Sequence, residues 1–352
     1  MKPIKSAPKG KRERHFFILR WTIISVLLIS VIIYITHMPT RSYSGPLKPL
    51  TDNEKFLQNR LKDHITTLAG KIGERNVWHP DQLAAGADYI EKVLTGFGYG
   101  VMTQEFECKG ISVRNLEAER PGDSTREEIV LIGAHYDSVM GSPGANDNAS
   151  GVSALLEIAR LLANKKPSRT VRFVAFVNEE PPFFQTDHMG SRVYALRSRK
   201  RGEKISAMIS LETIGYYSDD PKSQKYPFPF SYFYPKTGNF IGFVGNMSSR
   251  KLVCQVIASF RRHTDFPSQG AAAPGWITGI GWSDHWSFWQ EGYPAVMITD
   301  TALFRYQHYH GRKDTPDKIN YDCMARVVSG LARVIADLAG ISRDGPAGAL
   351  FH

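Results

Sequence analysis

Four segments of this chain run apolar and then stop on a side chain able to bind metal. Residues 129–135 end at His135, 171–180 at Glu179 and Glu180, 207–212 at Glu212 and 295–300 at Asp300. Runs this apolar mark strands buried on both faces in a parallel sheet, whose carboxyl ends line an active site. Between the first two lies an acidic turn, Pro143-Gly144-Ala145-Asn146-Asp147-Asn148-Ala149-Ser150-Gly151. After it, Val152, Leu155, Leu156, Ala159 and Leu162 fall on one helical face. Strand, acidic loop, helix, strand, loop, helix, strand is the order of an α/β protein. The expectation is a single three-layer α/β sandwich with a mixed, largely parallel central sheet.

The chain has 352 residues and a net charge of +10, but the charge is unevenly placed. Residues 1–20 hold Lys2, Lys5, Lys9, Lys11, Arg12, Arg14 and Arg20 against Glu13 alone. This basicity belongs to a membrane signal and predicts no nucleic-acid partner. Residues 16–36 continue as an apolar stretch broken only by Arg20, whose stem can snorkel to the interface. At ~1.5 Å per residue this stretch approaches the ~30 Å hydrocarbon core. The basic cluster before it predicts a cytoplasmic amino terminus and an extracytoplasmic remainder, periplasmic or extracellular. Tyr34-Ile35-Thr36-His37-Met38-Pro39 offers no small-residue cleavage site, so the segment reads as an uncleaved signal anchor. The layout is a basic tail at 1–15, a single-pass transmembrane anchor at 16–36, a proline-bearing linker at 37–50, one domain at 51–342 and a tail at 343–352.

Within the domain, helical spacing predicts helices over 53–72 and 80–95, the second ended by Gly96 and Gly98. Residues 101–105 and 112–117 alternate and read as strands. Residues 216–240, rich in Tyr, Phe and Pro, break the α/β rhythm as a long inserted loop, and loops of that length are usually functional. Cys108, Cys254 and Cys323 have no metal-type spacing, which leaves one disulfide or none.

His135 is followed two residues later by Asp137. A metal-bound imidazole needs an acceptor on its other nitrogen, and Asp137 can serve; a satisfied core histidine fits the tripeptide equally well. Asp147 alone reads first as helix-start chemistry. A carboxylate can also bridge two cations ~3.5–4 Å apart. Glu179 and Glu180 are more specific, because adjacent buried acids need a cation or a proton to compensate them. Successive strand residues point opposite ways, which predicts one ligand and one general base. Glu212 and His310 complete a set of His, Asp, Glu, Glu and His that points to a metal hydrolase.

Six motifs, in this order and spacing, resemble the signature series of the co-catalytic di-zinc aminopeptidases. They are Gly133-Ala134-His135-Tyr136-Asp137-Ser138, the 143–151 turn, Asn178-Glu179-Glu180, Gly190-Ser191-Arg192, Ser283-Asp284-His285 and His308-Tyr309-His310. That peptidase family also contains glutamate carboxypeptidase II and the glutaminyl cyclases, and the resemblance covers roughly residues 75–340. It implies a zinc-exopeptidase fold acting on peptides with a free amino terminus. It implies His135 and Glu212 on one zinc, Glu180 and His310 on the other, and Asp147 between them, with Co or Mn as substitutes. Glu179 would be the general acid/base and Asp137 the partner of His135.

The chain departs from the pattern in two places. Many relatives carry Asp where Glu212 stands. Gly279-Ile280-Gly281 occupies a stretch where secreted relatives often place a carbonyl-polarising tyrosine, so Tyr306 becomes the candidate donor. Asp284, His285 and Tyr309 are the other candidates for substrate contact. Two further readings compete. A single-zinc cyclotransferase of the glutaminyl-cyclase kind keeps most of these residues, but that branch has tryptophans where this chain has Pro181-Pro182-Phe183-Phe184 and Tyr309. An inactive, membrane-tethered binding ectodomain is opposed by a site with no residue replaced by a non-coordinating type.

Overall fold

The computed structural model describes residues 10–342; the first nine residues of the basic arm and the expected tail at 343–352 lie outside them. The chain divides after His37 into two compact units. The first holds helix α1 (Lys11–Thr36), in which Arg12–Thr36 is long and apolar enough to cross a bilayer. A signal sequence has the same length and composition.

In the second unit, residues 38–50 form no helix or strand, yet they are tied to the body. Met38 is buried in the main core, and Arg261 donates to the carbonyls of Pro39 and Thr40, each at 2.9 Å. Helix α2 (Asp52–Ile65) begins at a reciprocal cap. Glu54 N–H donates to the Thr51 hydroxyl and Thr51 N–H to the Glu54 carboxylate. Such a cap contributes about 1 kcal/mol. A wider turn carries the helix on through Thr66–Ile72. Helix α3 (Pro80–Gly96) follows, with Pro80 in its first turn, where a missing N–H costs nothing.

The strands are β1 (Val101–Cys108), β2 (Ile111–Arg120), β3 (Thr125–His135), β4 (Arg169–Phe176), β5 (Lys204–Glu212), β6 (Ile241–Gly245), β7 (Ser268–Ala272) and β8 (Ala295–Thr299). They form one sheet in the order β1-β2-β4-β3-β5-β8-β6-β7. The central pairs β4/β3, β3/β5 and β5/β8 are parallel, while β1/β2, β2/β4 and β6/β8 are antiparallel. The sheet is therefore mixed with a parallel centre. The intervening helices are α4 (Gly151–Leu162), α5 (Gly190–Lys200), α6 (Arg250–His263), α7 (His285–Gln290), the short α8 (Ala302–Arg305) and α9 (Tyr321–Ala339).

Strand alternation sorts the core into two layers. Val130, Ile132 and Ala134 of β3 face the layer with α2, α3, α4, α6 and α9, while Ile129 and Leu131 face α5 and α7. Each such fully buried aliphatic side chain contributes about 1.5–3 kcal/mol. After β3 the chain passes through α4 to β4 on one side, then through α5 to β5 on the other. Strand order reverses at β3, and a crevice opens beyond its carboxyl end.

Candidate metal centre

His135 is the last residue of β3 and Glu212 the last of β5, so both reach this crevice. Asp147 comes from the turn before α4. That turn starts at Gly144, whose φ of 63° is left-handed and where an added Cβ would lie 2.3 Å from the Asp147 carbonyl oxygen. Only glycine fits there. Glu179 and Glu180 lie beyond the end of β4, not on it. Their divergence therefore comes from a turn, which corrects the strand-alternation argument. Asn178 takes a φ of 58°, and Asp137 accepts from Glu179 N–H and Glu180 N–H, each at 3.1 Å. His310, also at positive φ, arrives on the loop after α8.

These side chains make two groups that share one residue. His135 Nε2 lies 3.3 Å from Asp147 Oδ1 and 3.2 Å from Glu212 Oε2. His310 Nε2 lies 3.1 Å from Asp147 Oδ2 and 3.2 Å from Glu180 Oε2. Each oxygen of Asp147 thus faces a different triad. Glu179 belongs to neither triad but comes within 3.9 Å of His135. Asp137 sits behind the site, 3.4 Å from His135 Nδ1.

The donor set fits cations. Both nitrogens of His135 and Asp147 Oδ1 are buried without completing a hydrogen bond, although Nε2 lies 3.3 Å from Asp147 Oδ1. Four buried carboxylates share the pocket. Burial, reinforced by their like-charged neighbours, pushes Glu179 and Glu212 above the usual range and Glu180 to about 7. Burial alone would raise Asp147 and lower His310. Contacts with His135 and His310 instead hold Asp147 below its usual value, and those with Asp147 and Glu180 lift His310 to about 11. Carboxylates crowded this way need positive charge between them, which bound metal supplies.

The supporting residues were mostly silent in the sequence. Asp314 accepts from the backbone N–H of Asn146 at 2.8 Å and of Asp147 at 3.0 Å. The hydroxyl of Tyr306 donates to the same carboxylate at 3.0 Å. Tyr306 therefore fastens the turn rather than facing the open side. Arg75, fully buried, donates to the carbonyls of Tyr136 at 2.8 Å, Pro143 at 2.8 Å and Gly144 at 3.2 Å, clamping the strand end to the acidic turn. Asp300, unassigned from sequence, accepts from the Asn146 side chain at 3.0 Å and Tyr216 N–H at 2.7 Å. Ser283 donates to Glu212 at 2.8 Å. Asp284 and His285 are fully buried, and His285 Nε2 meets the Ile280 carbonyl at 2.8 Å, so neither faces the open side. A pairwise spacing rule finds none of these fasteners, because Asn146 and Asp314 stand 168 residues apart.

An apolar cleft opens beside Glu212 and Tyr309. Its floor is the face of β6, β7 and β8 opposite α6, formed by Gly242, Val244, Gln269, Ala271, Met297 and Thr299. Its walls are Tyr226, Phe230 and Tyr234 from the inserted loop, with Ile277 and Trp282. Among the described residues, Glu212 is the only charged one lining it. The Tyr309 ring stacks on His310 at 3.9 Å, and its hydroxyl makes no hydrogen bond among the described residues.

A three-layer α/β sandwich with two carboxylate–imidazole triads at its topological switch point has the design of a metal-dependent hydrolase. The sequence profile of peptidase family M28 matches residues 115–335, and the chain belongs to that family. Membership makes it a metallopeptidase-type hydrolase and implies zinc. The uncharacterized Escherichia coli protein YfbL is 41% identical over 286 residues, covering 78% of this chain and 87% of its own. Leucine aminopeptidase 1 of Arthroderma otae is 24% identical over 268 residues, covering 71% of this chain and 65% of its own. The fold is shared with an aminopeptidase from Aneurinibacillus sp. strain AM-1 (TM-score 0.62, 17% identity, 80% of this chain and 94% of that one). Glutaminyl cyclase of Porphyromonas gingivalis also shares it (TM-score 0.59, 21% identity, 80% and 98%).

Proposed function

We propose that this protein is a membrane-tethered aminopeptidase that releases apolar amino-terminal residues from peptides at a two-zinc centre. The observation that carries this reading is Asp147, whose two oxygens face separate triads. His135 and Glu212 would hold one ion, His310 and Glu180 the other, with Asp147 common to both. Two zinc ions held there would acidify a shared water and polarise the scissile carbonyl.

The remaining work falls to this chain's own groups. Glu179 is buried 3.9 Å from His135 with a raised proton affinity, which suits a group that takes the water's proton and delivers it to the departing amine. Asp137 fixes Glu179 and Glu180 together through their backbone N–H groups. The free hydroxyl of Tyr309 takes the carbonyl-polarising role that Tyr306, bound to Asp314, is not free to fill. The buried carboxylates attract the substrate's ammonium group, and the apolar cleft receives its first side chain. A charged side chain there would lose its hydration with no partner, at a cost of several kcal/mol.

Full-length protein, zinc-loaded, is to be offered leucyl, phenylalanyl, lysyl and acyl-blocked anilides. Release from the free apolar substrates alone is the expected result, and equal cleavage of blocked substrates refutes the aminopeptidase reading. A peptide with amino-terminal glutamine is expected to yield free glutamine; ammonia loss with ring closure favours the cyclotransferase.

A further inference from the structure

The cleft opens between two loops that carry the most exposed aromatic side chains among the described residues of the body. Phe228 is 84% exposed and Tyr232 77% exposed, with Phe233 beside them, while Trp276 on the other loop is 83% exposed. None of the four lines the cleft, although their neighbours Pro227, Phe230 and Ile277 do. Phe228 and Tyr232 touch edge to face, with centroids 6.3 Å apart. Water-facing rings of this size are unfavourable without a partner.

Beyond the exposed Asp219 and Asp220 at the start of the loop, the charges on the aromatic stretch are basic. Lys222, Lys225 and Lys236 are exposed, and residues 222–237 contain no acid. Residues 273–282 carry no charge at all. Aromatic tips flanked by lysines match a bilayer interface, where rings settle at headgroup level and lysines are drawn to anionic lipid. A protein partner would more commonly meet a mixed polar rim.

Chain connectivity reaches the same edge of the sheet, from its α6 side. The apolar helix ends at Thr36, and Met38, the first residue of the second unit, is already buried. Met38 packs against Gly270, where an added Cβ would lie 2.8 Å from Met38 Cγ. The Gly270 carbonyl in turn accepts from the Tyr234 hydroxyl at 2.7 Å. The chain therefore enters the body on the α6 face of β7, the strand whose Gly270 carbonyl also holds Tyr234 of the aromatic loop, and Arg261 fixes residues 39 and 40 there.

We propose that the Phe228, Tyr232, Phe233 and Trp276 surface, with its three lysines, rests on the anionic lipid interface of the membrane that holds the anchor. The cleft mouth then opens at the headgroup layer, and substrates are peptides lying along the membrane surface. The proposal rests on the tether and not on the chemistry of the metal centre.

The test uses the full chain in nanodiscs of phosphatidylcholine, with or without phosphatidylglycerol, containing a lipid with a diazirine close to the headgroup. After irradiation, adducts are expected within residues 226–236 and at Trp276 as well as on the helix. Their yield rises several-fold with phosphatidylglycerol, and K222Q/K225Q/K236Q abolishes that rise. F228S/Y232S/F233S/W276S removes the loop adducts while zinc content and hydrolysis of a soluble dipeptide stay unchanged, which excludes misfolding. Adducts confined to residues 12–36 overturn the proposal. So do crosslinks between two copies through these loops, or failure of the full chain to enter nanodiscs.

Discussion

Asp314→Ala probes how the acidic turn is held without replacing a proposed ligand. Removing this carboxylate leaves three buried donors without their acceptor: Asn146 N–H, Asp147 N–H and the Tyr306 hydroxyl. At the low end of about 1 kcal/mol for each stranded donor, the loss of folding stability is about 3 kcal/mol. Metal affinity falls as well, because partners that orient ligands contribute about 10–100-fold. Urea denaturation of the zinc-free protein measures the first effect, and zinc titration against a competing chelator measures the second. Asp314→Asn, which keeps one acceptor oxygen, falls between the variant and wild type in both. If zinc-free stability and zinc affinity both match wild type, the turn is not held by Asp314 and the account of its positioning fails.

Other perturbations separate chemistry, specificity and stability. Glu179→Gln keeps both metals and lowers kcat/KM by about 10²–10⁴ in anilide hydrolysis, and a wild-type rate removes Glu179 from proton transfer. Ala271→Phe fills the cleft floor, so leucyl and phenylalanyl substrates slow by about tenfold or more while alanyl substrates are spared; a uniform loss contradicts the specificity assignment. Burial lowers the His285 pKa from 6.5 to about 4, so below pH 6.5 the unfolded chain takes up a proton that the folded chain refuses. Stability is therefore lost as pH falls from 6.5 to 4, by about 3 kcal/mol, and His285→Phe removes that part of the slope whatever it does at neutral pH. Urea midpoints of both proteins across this range supply the check, and parallel curves would refute it.

What the sequence reveals here is whatever lies at the end of a strong local pattern. His135 and Glu212 are legible because each terminates a buried apolar strand, whereas Asp147, which alone reads as a helix start, is legible only as part of the set of motifs. The Glu179-Glu180 pair was found for a partly wrong reason, since a left-handed residue at Asn178 turns the two apart after the strand has ended. Residues 38–50 have the composition of a linker, but the contacts that fix them come from Arg261 and Ser268, far along the chain. Asp314, Arg75 and Asp300 act through backbone groups of residues distant in sequence, a relation with no local signature. The cleft depends on the face of β6, β7 and β8 away from α6, and its walls come from the 216–240 loop and residues distant in sequence, which no local pattern reveals.

Zinc content per chain tests the central claim most directly. Metal analysis after equilibrium dialysis is predicted to give two ions for wild type and for Glu179→Gln, one for His310→Ala, and none for Asp147→Ala. A wild-type protein that saturates with one zinc, and keeps it when His310 is replaced, would contradict the shared-carboxylate centre.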